Sequence, residues 1–474
     1  MAGSSLGVER KGIDFVPTTE RYGTPRRLFT IWFSVNLSIL CLTVGTLGVV
    51  AGLPLGWTFA GLAIGNAIGT VFMAAHSAQG PHLGIPQMIQ SRAQFGVLGA
   101  GLPLVAVVAS QTLYAAANGI LIQDTIRMLL PLTGPMAIVL FATVTVVIAF
   151  FGYELIHRLG VVLTVLSGAL VIGIVVALLS HAGTPAAPPV AMHFSPALFI
   201  AVVAQSTAWS LSSAPTVADY SRYLPVTVTV AETFWSTGLG NYLGSLLMMS
   251  LGAYLAASHP DFMGHSGVGI AELFGRGRYV ASILIIMNLL QVNVMVLYSA
   301  YMSAVTIVSG VRGMTRVPLN VKLLIMSALM VIATVIAILT RDAFDRYFSD
   351  LLALLVYFLI PWSAINLADY YLVRHGKYSI DQMFLIDGEY GSFRWKTLGV
   401  YLISILSQVP FMSLSFYAGP VDRLLGADIA WLPGTLVPTL LYIWAERGGV
   451  RDRGAKNSYR NSKVARVYSR DDPH

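Results

Sequence analysis

The side chains best placed to do chemistry in this sequence are amides and aromatics set inside apolar runs. Trp209 stands in one such run with Gln205 one turn before it. Two further runs carry polar stripes, one of Gln111, Tyr114 and Asn118, the other of Asn288, Gln291 and Asn293. The i, i+3, i+7 spacing of the first stripe puts its three members on one helical face. Amides among apolar neighbours are costly unless paired, so each stripe faces either an adjoining helix or a cavity, and spacing alone leaves both readings open. An aromatic face beside amide groups suits a flat, neutral heterocycle: the ring holds the plane while the amides read donors and acceptors on its edge. A charged ligand would leave other marks. No Asp, Glu, Lys or Arg falls in the middle of an apolar run, and Asp124, Arg127, Glu154, Asp219, Arg222 and Asp369 all lie near the ends.

Covalent chemistry has no comparable signature. H-E-x-x-H, G-x-x-x-x-G-K-[ST] and G-x-S-x-G are all missing. Glu154 and His157 sit three apart at a helix end, where a solvated ion pair is the simpler reading. His76 and His82 have no further ligand at metal spacing. No catalytic residue, metal site or cofactor is expected, and the protein is not expected to be an enzyme.

The elements that must position these side chains are membrane spans. The chain has 474 residues, 56% hydrophobic and 11% charged, with a mean hydropathy of +0.72. That composition excludes an ordinary soluble globule and makes the lipid bilayer its partner. The net charge of +7 calls for no nucleic acid, and the single cysteine, Cys41, leaves no disulfide within the chain. No signal peptide is expected, because the polar N-terminal stretch lacks a short apolar core with a cleavage site.

Apolar runs of spanning length fall at about 29–50, 57–78, 97–122, 134–152, 160–180, 196–218, 234–257, 279–309, 321–340, 349–370, 397–415 and 429–445. Most of the Lys and Arg then fall on the side of the N-terminus, so both termini are expected in the cytoplasm of a multi-pass plasma (inner) membrane protein.

Two of the runs are interrupted. Ser206–Pro225 fills its middle with small hydroxyl residues and Pro215, which lacks an amide hydrogen, and this predicts a helix broken at mid-membrane. The first run carries Ser34, Asn36 and Ser38 before Gly45 and Gly48. Two breaks five spans apart predict an inverted repeat, since an odd number of spans turns the second copy over. The expected organisation is an N-terminal segment 1–28, a first five-helix repeat 29–180, an outer loop 181–195, a second repeat 196–373, a cytoplasmic loop 374–396, two added helices 397–446 and a basic tail 447–474. Gly61, Gly65 and Gly69, spaced by four, predict a face for close helix packing. Gly80–Gly96 reads as a short amphipathic cytoplasmic segment.

Four stretches resemble the nucleobase:cation symporter family in its purine-cytosine permease branch. They are E-R-K-G-I-D-F-V-P with E-R-Y-G near the N-terminus, G-I-P-Q-M-I-Q-S-R-A-Q-F-G, A-D-Y-S-R-Y-L-P, and L-A-D-Y-Y-L-V-R-H-G-K-Y from Leu367 to Tyr378. The resemblance implies an all-α polytopic protein of twelve transmembrane helices with the leucine-transporter-type fold: two inverted five-helix repeats plus two extra helices. It implies substrate contacts at Trp209, the backbone of Ala208, Gln111, Tyr114, Asn118 and Asn288, to which the spacing adds Gln205. Tyr114 stands where a Trp is more usual.

In sodium-coupled members two hydroxyl residues of the eighth helix join carbonyls of the first, here near Leu37. Gln291 and Val292 are aligned with that pair, so the implied cation residues are Leu37 and Gln291. Val292 offers no side-chain oxygen to a hard cation, which places proton coupling ahead of sodium. Asp219 and Arg222 are candidates for a cytoplasmic gate.

The expected function is secondary active import of a purine or pyrimidine base, cytosine or a purine first, by cation-coupled alternating access in a monomer. A hydantoin or allantoin is the alternative small neutral substrate. A channel or a substrate sensor is the alternative class. A channel needs a continuous polar lining, whereas the polar residues here cluster at one depth.

Overall fold

The computed structural model describes residues 15–446 except 152, 181–191, 259–265 and 313–316. Expectations for the first 14 residues, the basic tail, most of the 181–195 loop and the side chains of Glu154 and His157 lie outside the described residues.

The first span breaks as its sequence predicts. Helix α1 (Arg26–Asn36) stops where Leu37 leaves helical geometry, and α2 (Ile39–Val50) restarts behind an extended Ser38 whose Oγ accepts from the Cys41 amide at 3.1 Å, a side-chain N-cap. The two halves meet at 60°. Then come α3 (Leu55–Ser77), the short α4 (Gly80–Leu83) and α5 (Gln87–Phe95), α6 (Gly101–Arg127), α7 (Gly134–Phe151) and α8 (Tyr153–Ser180).

The second half opens with α9 (Pro196–Leu211), capped by Ser195, and continues through a turn and a 3₁₀ segment at Ala214–Thr216 into the short α10 (Val217–Ser221). The break thus falls at Pro215, but it is gentler than the first. At the break Ser212 and Thr216 donate to the Trp209 and Ser213 carbonyls, at 2.6 and 3.2 Å, while Ser206 and Thr207 donate across to the Leu62 and Gly65 carbonyls of α3, each at 2.9 Å, and fasten two helices together. Next are α11 (Val230–Ser258), α12 (Ser266–Glu272), α13 (Arg278–Arg312), α14 (Leu319–Thr340) and α15 (Phe344–Leu367), which runs into a π-helical turn at Ala368–Val373.

Packing pairs the elements as an inverted repeat requires. α3 packs on α9 as α11 packs on α2; α6 meets α14 as α13 meets α7; α13 meets α8 as α6 meets α15. Exchanging each span with the one five places on maps each of these contacts onto its counterpart, as two copies of one five-helix unit would. Close approach of backbones makes the two bundle contacts possible. A β-carbon at Gly65 would run into the Val203 carbonyl of α9, and one at Gly252 of α11 into the Leu42 carbonyl of α2. Gly61 and Gly69 face α9 as well.

Outside the repeats, α16 (Trp395–Gln408), a two-stranded hairpin pairing Ser413–Leu414 with Tyr417–Ala418, α17 (Pro420–Leu425) and α18 (Trp431–Glu446) complete the chain. α16 is 14 residues long, and ends earlier than the apolar run suggested, because Pro410 follows in a 3₁₀ turn. Among the described residues seven helices are long and apolar enough to cross a membrane, eight if α1 and α2 count as one.

A buried polar layer ties the repeats to these extra helices. Asp369, fully enclosed, accepts from Gln94 Nε2 of α5 at 2.7 Å, Tyr442 Oη of α18 at 2.8 Å, Tyr378 Oη at 2.9 Å and Arg374 Nε at 3.0 Å.

Candidate functional site

A cavity of about 90 Å³ lies where the two broken spans face α6 and α13. Trp209 forms one wall. Its indole Nε1 donates to Asn36 Oδ1 at 2.8 Å, so the last residue of α1 fixes the ring of α9. Asn36 is in turn held: its Nδ2 donates to Asn241 Oδ1 at 3.0 Å and to the Trp32 carbonyl at 2.7 Å. Asn241 of α11 donates to Thr70 Oγ1 at 2.7 Å and Ser210 Oγ at 3.0 Å, and Ser210 donates to Asn66 Oδ1 at 2.6 Å. A continuous hydrogen-bond network from four spans therefore sets the plane of Trp209.

Tyr114 stands edge-on to that plane, ring centres 5.9 Å apart at 89°. Its hydroxyl is buried without a hydrogen-bond partner, and the Gln111 amide, 7% exposed, makes no hydrogen bond to the described protein. The Gln111 amide thus keeps its polar atoms free for a ligand, and buried groups without a partner gather around it: the Tyr114 hydroxyl, Trp32 Nε1 and, one turn beyond Tyr114, Asn118 Oδ1. Ser38, Ser212, Ser213 and Ser299 add hydroxyls, and Val292, Met295 and Val296 of α13 add apolar surface. No Asp, Glu, Lys or Arg lines this cavity. The arrangement stacks a flat ring and reads its edge; it holds no acid, base or nucleophile poised for bond chemistry. Among the described residues no cluster of His, Cys, Asp or Glu could hold a metal ion.

A larger groove of about 390 Å³ between α6, α15 and α16 does not compete as a polar-ligand site. Its two hydroxyls, Ser110 and Tyr401, donate to the carbonyls of Val107 and Phe358, leaving apolar walls with nothing to read a polar edge.

The structure brings together Trp209, Gln111 and Tyr114 and sets the other sequence-predicted residues apart from them. Ala208 is fully buried behind Trp209, and neither it nor Gln205 lines the cavity. Asn118 sits one turn beyond Tyr114 and donates to Asn293 Oδ1 at 3.3 Å, while Asn293 reaches Thr145 Oγ1 at 3.1 Å, so this part of both stripes joins helices. Asn288 does not reach the cavity either. Its amide is spent on the break of the first span, donating to the Leu37 carbonyl at 2.6 Å and to Ser167 Oγ of α8 at 2.8 Å, while its Oδ1 accepts from the Ile39 amide at 3.2 Å.

Neither Gln291 nor Val292, the residues aligned with the expected cation pair, bonds to Leu37. Val292 faces the cavity; the α13 residue that meets Leu37 is Asn288, four earlier on the same face. Of the gate candidates, Asp219 Oδ1 accepts from the Gln87 amide at 2.9 Å, at the start of α5, and Arg222 lies over the Tyr223 ring. Neither lines the cavity, whereas Tyr220 between them does, edge-on to Trp32 with ring centres 5.5 Å apart. Asn36, Trp32 and Tyr220 are the site residues that amide stripes could not reveal. Asn36 was visible only as a polar interruption of the first span, and Tyr220 only within A-D-Y-S-R-Y.

A family model described as permease for cytosine/purines, uracil, thiamine and allantoin matches residues 15–434. YxlA of Bacillus subtilis strain 168, provisionally named a purine-cytosine permease, is 40% identical over 438 residues, 92% of this chain and 95% of its own. The purine-cytosine permease fcyB of Emericella nidulans is 24% identical across 79% of this chain and 75% of its own. Among solved structures, the inward-facing form of Mhp1 aligns over 94% of this chain and 95% of its own with a TM-score of 0.75 at 17% identity. Mhp1 in a closed conformation with bromovinylhydantoin bound, described as a nucleobase-cation-symport-1 family transporter, aligns over 94% and 97% with a TM-score of 0.73 at 18% identity. These two matches show a shared fold.

Proposed function

Because the chain belongs to the family of permeases for cytosine and purines, uracil, thiamine and allantoin, we propose that its cavity carries a neutral purine or pyrimidine base, cytosine or a purine first, by cation-coupled alternating access. The observation that carries this reading is the pairing of a fixed indole plane with two uncommitted polar groups, Gln111 and the Tyr114 hydroxyl, in a cavity without charge. Stacking supplies affinity to any flat ring, and the amide and hydroxyl select among rings by their edge pattern. Within the family's range, a permanently cationic thiamine fits least, since burying a cation with no carboxylate in reach is expensive.

The cavity reaches toward α1 and α10, the halves of the broken spans that lie nearest the N-terminal segment. With the termini in the cytoplasm of the plasma membrane, that is the face of release, and the site alternates between it and the outer face as the bundle of α1–α3 and α9–α11 rocks against α6, α7, α13 and α14. Coupling to a proton is placed ahead of sodium.

Equilibrium binding of radiolabelled cytosine and adenine to purified protein, competed with uracil, hypoxanthine, allantoin and a hydantoin, tests the reading. Displacement by bases that share one edge pattern is expected. Displacement by allantoin or hydantoin alone would reassign the substrate, and binding of no flat heterocycle would overturn the proposal.

A further inference from the structure

The break of the first span is where a sodium ion would sit if this chain held one as the resemblance implies, and the donor set there does not fit an ion. Leu37 (φ −71°, ψ 55°) and Ser38 (φ −120°, ψ 146°) interrupt the helix, so the Leu37 carbonyl and Ile39 amide lose their partners in the chain's own helical ladder. Sodium at such a place needs several oxygens turned toward it. Beside the Leu37 carbonyl stands the Ser167 hydroxyl, and the place between these two oxygens is taken by the Asn288 amide nitrogen, 2.6 Å from the first and 2.8 Å from the second.

The orientation of that amide is dictated by its neighbours. Its oxygen takes the Ile39 N–H at 3.2 Å. Turned over, it would set oxygen against the Leu37 carbonyl and N–H against N–H. Asn288 is 4% exposed, and its two hydrogens and its oxygen are all engaged across the break.

We propose that Asn288 is a built-in replacement for a hinge cation: its amide locks the two halves of the first span to α8 and α13, and sodium is not needed to order the site. The NH₂ group supplies to the two oxygens the positive partner that an ion would otherwise supply. The Trp209 plane, held by Asn36 one residue before the break, is thereby set without an ion.

The proposal deepens the coupling part of the proposed function, and its first arm needs no substrate. Thermal unfolding of the purified full-length protein in sodium chloride, against potassium or choline chloride at equal ionic strength, should show no sodium-specific shift. Base affinity should agree within about twofold among the three salts. Asn288→Asp turns the place into an all-oxygen socket that suits a small hard cation. That variant should acquire a sodium-specific rise in unfolding temperature and in base affinity. A wild-type protein that sodium alone stabilises, or whose base affinity sodium raises about fivefold or more, overturns the proposal, and this comparison decides it without any variant. An Asn288→Asp protein that folds and ignores sodium would likewise count against the amide standing in the cation's place. If no base binds in any salt, the substrate reading fails while the unfolding arm still reports on the hinge.

Discussion

Removing the indole of Trp209 separates a recognition role from a packing role. In the structure the ring is partly exposed to the cavity, crossed by Tyr114 and bonded through Nε1 to Asn36. Trp209→Ala deletes the stacking face, worth about 1–3 kcal/mol per base, which is roughly a 5- to 150-fold rise in Kd. Trp209→Phe keeps a face but leaves Asn36 Oδ1, in a residue 3% exposed, without its donor. An unsatisfied buried acceptor costs about 1–3 kcal/mol, and here part of that cost falls on the plane of the ring. The Phe variant should therefore bind between wild type and Ala and unfold at a lower temperature than wild type. Equilibrium binding of a radiolabelled base, read beside thermal unfolding of the same preparations, measures both. Unchanged Kd in a folded Ala variant would refute the stacking argument, and a Phe variant as stable as wild type would refute the argument about Asn36.

Gln111→Leu should weaken binding by about 1–3 kcal/mol for bases whose edge it reads and little for others; a uniform loss across a panel of bases would show that Gln111 only holds helices together. Tyr114→Phe removes a buried hydroxyl that makes no well-formed hydrogen bond, with Ser212 close by, so unfolding temperature should change little while affinity for some bases falls; a marked loss of stability would reveal a structural bond. Gly65→Ala forces a β-carbon into the Val203 carbonyl and should disrupt the packing of α3 on α9, whereas Gly168→Ala on α8, with open space around it, should be neutral; size-exclusion profiles after heating would show both. Asp369→Ala strips four hydrogen-bond donors of their acceptor and leaves Arg374 buried beside no counter-charge. It should cost about 3–5 kcal/mol, read as thermal unfolding, with Asp369→Asn milder.

The architecture was legible because it rests on repeated, strong signals. Apolar runs of spanning length, a polar break in the first span and another at Pro215, and glycines every fourth residue are all consequences of a bilayer that tolerates irregular backbone only inside protein. The site was legible in part. Trp209, Gln111 and Tyr114 stand out because an amide or indole among Val and Ala must have a partner.

What sequence could not show is which partner. Asn118, Asn288 and Asn293 have the same chemistry as Gln111, yet hinge bonds engage Asn288, and helix-to-helix bonds engage Asn293 and the Asn118 nitrogen, leaving only the Asn118 oxygen without a partner. One turn of register on α13 separates a residue at the hinge from one in the cavity, and a periodicity of 3.6 repeats too closely at four residues to choose between Asn288 and Val292. The Tyr220 and Trp32 contact depends on two segments nearly 190 positions apart, which no local pattern encodes.

A cavity that carries a nucleobase across the membrane must exchange bases between its two sides. Counterflow of radiolabelled cytosine or adenine in proteoliposomes holding the purified protein, preloaded with the unlabelled base, tests it most directly. Transient accumulation of label is expected that depends on the preloaded base, falls in Trp209→Ala when the base is kept below the variant's Kd, and is the same in sodium and choline salts. Label that enters no faster than in protein-free liposomes, or at the same rate in the Trp209→Ala protein, would contradict it.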